Sequence, residues 1–192
     1  MPTIGIDFKC KKFLVPINDK ETIPTTLKIF DTSGQHRFQS ITEHYQSSNA
    51  DGMIVVFDVT NLSTLRRAEN LIERAREISP LGENLPILLV GNKTDLTDKR
   101  CITPKEEEET VHRLDIEPCF DISAKTEPDE CDAVFQKITL LIHENRLLHV
   151  ETKNSHSDST QDEPQKRAIQ QRFTLLSRVL DTLLLCSCKH SQ

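Results

Sequence analysis

Three short polar segments contain residue types that could together bind one phosphate-bearing ligand. They are residues 31–35 (DTSGQ), 91–95 (GNKTD) and 123–125 (SAK). Each segment closes or directly follows a short apolar run of the kind that forms buried strands. Ligands of open α/β sheets bind beyond the carboxyl ends of the strands, so one ligand could contact all three segments.

The first segment has the chemistry of a phosphate and metal site. The carboxylate of Asp31 can hold Mg²⁺, usually through water. Gly34 has no side chain, so its backbone N–H can approach a terminal phosphate. The amide of Gln35 donates and accepts hydrogen bonds, which suits the alignment of a water for in-line attack on phosphorus. Gln35 is therefore the candidate catalytic residue.

The other two segments have the chemistry of a base site. The carboxylate of Asp95 can accept two hydrogen bonds from guanine, one from the ring N–H and one from the amino group. The apolar stem of Lys93 can cover a base or a sugar, and the backbone N–H of Ala124 can donate to the guanine carbonyl oxygen. Asp-x-x-Gly alone is common, but Asn-Lys-x-Asp after an apolar strand is specific. The remaining members of the two segments are Asn92, Ser123 and Lys125.

The elements that must position these segments can be predicted from hydrophobic patterning. Four short, continuous apolar runs are typical of strands buried on both faces of a parallel sheet. They occupy residues 27–31, 53–59, 86–91 and 118–122. Segments with helical spacing lie between them, which predicts a three-layer α/β domain. A further strand at residues 4–15, joined to 27–31 by a polar turn, predicts a hairpin and a mixed, mostly parallel sheet.

Three helices are predicted from apolar spacing and capping signals. Thr103, Pro104 and Glu106 provide an N-cap, a first-turn proline and a capping-box acid. The apolar face of the first helix comprises Leu65, Leu71, Ile72, Ala75 and Ile78, and that of the last comprises Val134, Ile138, Leu141 and Ile142.

Composition excludes several classes of protein. The formal charge is −6, which argues against a nucleic acid as partner. The six cysteines include no Cys-x-x-Cys pair, which speaks against zinc and against a disulfide framework. No stretch of the sequence is apolar for the roughly 18 residues that a membrane span needs. We therefore expect a cytoplasmic protein, with peripheral contact to endomembranes still open.

At this point the sequence resembles the Rab branch of the Ras-superfamily small GTPases over residues 1–149. In addition to the three polar segments, residues 3–8 (TIGIDF) resemble the Rab switch I and the strand after it. Residues 37–42 (RFQSIT), shortly after DTSGQ, resemble the Rab switch II. The resemblance implies a small G domain of the P-loop NTPase type that binds GTP or GDP with Mg²⁺ as a switch in vesicle traffic.

The resemblance also implies roles for individual residues. Thr3 corresponds to the switch I threonine that contacts Mg²⁺ and the γ-phosphate. Partners implied are effectors, an exchange factor and a GTPase-activating protein. The residues that match the effector surface are Ile4, Gly5, Ile6, Phe8, Phe30, Arg37, Phe38 and Tyr45.

One motif of the family does not occur. The phosphate-binding loop G-x-x-x-x-G-K-[ST] is absent, and so is the dipeptide Gly-Lys. We therefore expect a chain truncated at its N-terminus, without the first strand and first helix of the family. Two alternatives follow: an incomplete Rab-type switch, weakened in nucleotide binding and hydrolysis, or a nucleotide-independent pseudo-GTPase adaptor that acts through its switch surface. An in-frame phosphate-loop motif in the upstream coding region would favour the first.

The C-terminal part is predicted to have two regions beyond the domain. Residues 150–172 are polar and predict a disordered linker. Residues 173–192 are amphipathic and end in Cys186-Ser187-Cys188 and four further residues. By resemblance Cys186 and Cys188 match the Rab prenylation motif, and unmodified cysteines are the alternative. A further hypothesis is that this segment packs where the missing elements would lie.

Overall fold

The computed structural model describes residues 6–18, 21–32 and 50–154. The chain divides into two compact units, Met1–Val15 with Ile23–Ile142, and Pro16–Thr22 with His143–Gln192. The strands are β1 (Ile6–Asn18), β2 (Glu21–Thr32), β3 (Met53–Asp58), β4 (Ile87–Asn92) and β5 (Phe120–Ile122), and the helices are α1 (Leu62–Ile78), α2 (Pro104–Leu114) and α3 (Pro128–Asn154).

A three-stranded parallel sheet in the order β3-β4-β5 forms the centre of the first unit. Because side chains alternate along a strand, β4 contributes to both faces. Ile87 and Leu89 pack with buried residues of α1 and α2. Leu88 and Val90 pack with Ile122 and the buried face of α3. The predicted three-layer α/β fold is thereby confirmed.

The helices begin at the capping signals that the sequence contains. Asn61 caps α1 by accepting a hydrogen bond from the Ser63 N–H. Thr103 and Glu106 form a reciprocal capping box at the start of α2, as predicted. The apolar face of α1 differs from the prediction at two positions, since Leu71 is exposed and Ala68, which was not predicted, is buried.

Strands β1 and β2 pair in a separate two-stranded sheet. With so few residues between Asn18 and Glu21, only an antiparallel arrangement is possible, so the predicted hairpin is observed. The mixed, mostly parallel sheet expected from the sequence is present as two sheets, the hairpin and the parallel β3-β4-β5 sheet. In the family that the sequence resembles, the first strand is central, and the described residues contain no counterpart of it. Strands β2 and β3 therefore have no common neighbour in this part of the chain.

Side chains connect the hairpin to α3. The ammonium of Lys11 on β1 lies 5.6 Å from the ring centre of Phe13 and 5.5 Å from that of Phe135 on α3. It also forms an ion pair with Asp132. Leu27 of β2 packs against the core cluster between the sheet and α3. The hairpin is therefore attached by packing and charge.

Two further features concern α3 and its surroundings. The helix continues to Asn154, so it overlaps the first residues of the segment predicted as a linker. Within the described residues, no helix combines the length and apolar content that crossing a bilayer requires.

Val56, in the middle of β3, is 56% exposed although its register partner Val90 is buried. The cover that α3 provides on this face therefore does not extend to the centre of β3.

Candidate functional site

The carboxyl ends of β4 and β5 bring two of the predicted segments side by side. The parallel register pairs Gly91 with Asp121 and Asn92 with Ile122. The residues that follow each strand, 93–95 and 123–125, consequently leave the sheet at the same edge. A ligand at this edge would meet both segments, as strand-end binding in α/β sheets requires.

Hydrogen bonds join the two segments directly. The hydroxyl of Ser123 donates to Asp95 Oδ1 at 2.8 Å. The backbone N–H of Thr94 donates to the Ile122 carbonyl at 3.3 Å. The Ser123 side chain is almost fully buried, whereas Asp95 is exposed. Ser123 thus orients a carboxylate that remains accessible to a ligand.

Asn92 organises the turn from the opposite side. Its side-chain oxygen accepts hydrogen bonds from the N–H of Lys93 at 2.8 Å and from the N–H of Ala124 at 3.1 Å. The Ala124 N–H, predicted to meet a guanine carbonyl, is therefore engaged with Asn92 in this structure. A base carbonyl at this position would share or replace that hydrogen bond. Lys125 lies exposed directly after Ala124.

Lys93 has a strained backbone and a defined charge partner. Its φ of 72° lies in the left-handed region, which costs a non-glycine residue roughly 1–2 kcal/mol. Its ammonium lies 2.6 Å from Asp58 Oδ2 at the end of β3. The other Asp58 oxygen accepts hydrogen bonds from the N–H and hydroxyl of Thr60. A strained backbone at a residue whose side chain is fixed by an ion pair is typical of binding sites.

Asp58 was not among the residues predicted from the sequence. Burial raises the pKa of its carboxyl, but hydrogen bonds from Lys93 and Thr60 outweigh burial and leave the pKa below its ordinary value. The signal was available, because Asp58 is the last polar residue of the apolar run 53–59, as Asp31 is of the run 27–31. Applying the strand-end argument to that second run would have found it.

A buried charge network follows the base segment. Arg100 donates to Asp121 Oδ2 at 2.6 Å, to Glu107 Oε1 at 2.5 Å and to the Ile102 carbonyl at 2.7 Å. Burial raises the pKa of Glu107 to about 7, with the charge of Asp121 adding to the effect and Arg100 opposing it. Burial also raises the pKa of the Cys119 thiol to about 12.

This network also contains a possible metal-ligand group. Glu107, Cys119 and Asp121 place ligand-type atoms within 4.8 Å of one another. The Arg100 guanidinium binds both carboxylates, however, so a positive charge already lies between them. A thiol with a raised pKa is also a poor ligand, because metals bind the thiolate. The arrangement is that of a structural ion pair.

The predicted phosphate and Mg²⁺ site lies only partly within the described residues. Asp31 lies exposed near the end of β2, and it is the one predicted metal ligand within the described residues. The fit of this chain to Mg²⁺ therefore rests on a single carboxylate there. The other predicted residues of this end, Thr3, Gly34 and Gln35, lie outside the described residues.

Two aromatic residues of the predicted effector surface, Phe8 and Phe30, lie together on the hairpin. Phe8 and Phe30 have ring centres 5.1 Å apart, and they are 50% and 41% exposed. Ile6, at the start of β1, is partly buried. Such an exposed aromatic pair is suited to contact another protein. The remaining predicted residues of the surface, Ile4, Gly5, Arg37, Phe38 and Tyr45, lie outside the described residues, as do Cys186 and Cys188.

Comparison with known proteins agrees with this geometry. The sequence profile of the Ras family matches residues 1–144. The chain is 36% identical over 156 residues to the Ras-related protein RabC of Dictyostelium discoideum, a match that covers 80% of this chain and 71% of RabC. It is 33% identical over 155 residues to RabF1 of the same organism, which covers 81% of this chain and 75% of RabF1.

A yeast protein extends the comparison. The chain is 36% identical over 123 residues to the GTP-binding protein ypt1 of Schizosaccharomyces pombe, and the match covers 64% of this chain and 56% of ypt1. The chain therefore belongs to the Ras family, as a small GTPase of the Rab type.

Proposed function

We propose that this chain binds guanine nucleotides at the carboxyl ends of β4 and β5, and that it acts as a Rab-type switch in vesicle traffic. The observation that carries the proposal is the contact of the two base segments, through Ser123 with Asp95 and Ala124 with Asn92. The parallel pairing of β4 and β5 brings these residues, which are 28 positions apart in the Ser123–Asp95 pair, to one edge of the sheet, where a single ligand could contact both segments.

Base recognition follows from the chemistry of Asp95. A carboxylate accepts hydrogen bonds and donates none when ionised. Guanine presents two adjacent donors, the ring N–H and the amino group, whereas adenine presents an unprotonated ring nitrogen at the matching position. A bound adenine would therefore leave Asp95 facing an acceptor, which costs binding energy. In this proposal the apolar stem of Lys93, whose ammonium pairs with Asp58, covers one face of the base.

The phosphates and Mg²⁺ would be met by the first polar segment. In this proposal Asp31 and Thr3 hold Mg²⁺, Gly34 contacts the terminal phosphate and Gln35 aligns water. GTP would supply the phosphoryl group whose presence orders the switch segments. The sequence contains no G-x-x-x-x-G-K-[ST] motif, the loop whose backbone N–H groups and lysine bind the phosphates, so the proposal rests on recognition of the base by the segments after β4 and β5.

In this proposal other proteins would bind the switch segments, and lipid groups would attach the protein to membranes. The exposed Phe8–Phe30 pair supports an effector surface on the hairpin. An exchange factor and a GTPase-activating protein would act on the switch segments. Prenylation of Cys186 and Cys188 would give two lipid chains, which suffices for stable anchoring on endomembranes.

A titration of the full 192-residue chain with GDP, GTPγS and ADP in the presence of Mg²⁺ tests the proposal. We expect heat of binding or a fluorescence change with both guanine nucleotides and none with ADP. A folded protein that binds neither guanine nucleotide would refute it and favour the nucleotide-independent adaptor. Equal binding of GDP and ADP would show that the phosphates alone are recognised, and would also contradict the proposed base site.

A further inference from the structure

One carboxylate contacts the chain at both ends of the loop that carries the candidate base-contacting residues. Asp121 lies on β5, beside Gly91 in the parallel register. A Cβ at Gly91 would overlap Asp121 Oδ1, so this oxygen lies directly against the Gly91 backbone. The other oxygen, Oδ2, accepts from Arg100 at 2.6 Å. Gly91 and Arg100 bracket the segment 92–99, which includes Asn92, Lys93 and Asp95.

Three hydrogen-bond acceptors hold the guanidinium of Arg100 in place. Its Nε donates to the Ile102 carbonyl, one terminal nitrogen donates to Asp121, and the other donates to Glu107 of α2. The guanidinium is planar and has its donors in a fixed fork, so three acceptors determine its position completely. Arg100 is mostly buried, with 24% of its side chain exposed. Such a charge-assisted, partly buried set is stronger than a surface ion pair.

We propose that Arg100 is a positioning residue, which through Asp121 holds the segment 92–95 against the segment 123–125. This proposal rests on the proposed function, since those two segments are the candidate base site. Asp121 lies on β5 two residues before Ser123, which directly follows the strand, so the Arg100–Asp121 ion pair ties the residue after segment 92–99 to the strand that leads into segment 123–125. Glu107 supports Arg100 from α2.

Amide hydrogen exchange, measured residue by residue by NMR on the full chain, tests the positioning role of Arg100 in the absence of nucleotide. The reporters are the N–H groups of Thr94 and Ala124, because both donate across the two segments. The internal reference is the β3–β4 ladder. Arg100→Gln removes the guanidinium, and Lys99→Gln is the matched control because it removes one positive charge from an exposed neighbour.

We expect Arg100→Gln to accelerate exchange at Thr94 and Ala124 on the order of tenfold more than in the β3–β4 ladder. Lys99→Gln should leave all of these rates unchanged. Arg100→Lys should lie between the wild type and Arg100→Gln, since an ammonium keeps the charge but lacks the fork. Equal acceleration of the reporters and the ladder would show a purely global stability effect and overturn the proposal, as would no acceleration.

A GDP titration of the same variants separates this proposal from the proposed function. We expect Arg100→Gln to weaken GDP binding on the order of tenfold, with Lys99→Gln unchanged. If the wild type binds no GDP, the proposed function fails, while the exchange rates still decide whether Arg100 positions the loop. If Arg100→Gln loosens the reporters but leaves GDP affinity unchanged, the positioning role of Arg100 stands, while the assignment of these segments as the base site is contradicted.

Discussion

The hydroxyl of Ser123 donates a 2.8 Å hydrogen bond to Asp95 Oδ1, joining the segment after β5 to the segment after β4. Ser123 is almost fully buried, and its oxygen also accepts from the Thr126 N–H at 3.2 Å. The hydroxyl is thus fixed as a donor toward Asp95. The carboxylate is held in one orientation at the sheet edge, as recognition of a flat base requires.

Replacing Asp95 tests which base this carboxylate reads. Asp95→Asn exchanges one acceptor oxygen for an NH₂ donor. We expect loss of GDP binding and a gain for XDP, because xanthine carries a carbonyl where guanine carries its amino group. Titrations of the wild type and Asp95→Asn with GDP and XDP measure the four affinities and show whether the preference changes from GDP to XDP. Asp98→Asn is the control, since Asp98 is an exposed acid three residues away. Unchanged GDP affinity in Asp95→Asn would place the base elsewhere.

The buried acid Glu107 makes stability depend on pH. Its folded pKa of about 7 lies above the ordinary value of 4.5, so the folded state favours the protonated form. The associated stability is fully present below pH 4.5 and is lost as the pH rises through about 7. At pH 8, Glu107→Gln should therefore be more stable than the wild type, by up to roughly 3 kcal/mol.

Urea unfolding of Glu107→Gln at pH 5 and pH 8 measures this difference. Gln imitates the protonated acid, so the gain should shrink at the lower pH. Glu108→Gln on the same helix is the control, because Glu108 is 72% exposed and should show little pH-dependent change. A variant that is less stable than the wild type at pH 8 would mean that the ion pair with Arg100 outweighs the cost of burial.

Gly91 should not tolerate a side chain. A Cβ there would overlap Asp121 Oδ1 and would lie 3.0 Å from Val59 Cγ1 and 3.1 Å from Phe57 Cζ. Gly91→Ala should therefore lower the free energy of unfolding by about 1–3 kcal/mol, the usual cost of overpacking.

Gly82→Ala separates overpacking from backbone strain. Gly82 has a φ of +54° but nothing within 4 Å of an added Cβ, so its substitution incurs strain alone, on the order of 1 kcal/mol. Chemical denaturation of both variants gives the comparison. A Gly91→Ala variant as stable as the wild type would show that Asp121 can move away from the loop without cost.

The attachment of the hairpin to α3 can be measured by a double-mutant cycle. Lys11→Met keeps the apolar stem but removes the charge that lies between two aromatic rings and pairs with Asp132. With Asp132→Asn as the second change, we expect a coupling energy of about 0.5–1 kcal/mol in the unfolding free energy. Lys12→Met is the control, since Lys12 is the exposed neighbour. A coupling of zero would mean that the Lys11–Asp132 ion pair contributes nothing to the attachment of the hairpin.

Local patterns in the sequence predicted the strands and the base segments. Continuous apolar runs predicted β3, β4 and β5, and the strand-end rule predicted the meeting of Asp95 with Ser123. The parallel register makes that rule work, because neighbouring strands end at one edge.

Pairs distant in sequence could not be predicted in the same way. Arg100 and Asp121 lie 21 residues apart, and no periodicity encodes their pairing. The exposure of Leu71 and the burial of Ala68 depend on which side of α1 the sheet occupies. The division of the sheet between β2 and β3 depends on which strands are neighbours, which a count of strands does not reveal.

The most direct test of the base site uses nucleotides with little phosphate. Base contacts alone, worth roughly 4 kcal/mol, correspond to a Kd of about 1 mM, within the range of NMR titration. We expect GMP to shift the amide resonances of Thr94, Asp95 and Ala124, and AMP to leave them unchanged. Equal shifts with both nucleotides, or shifts confined to other parts of the chain, would contradict a guanine site between β4 and β5.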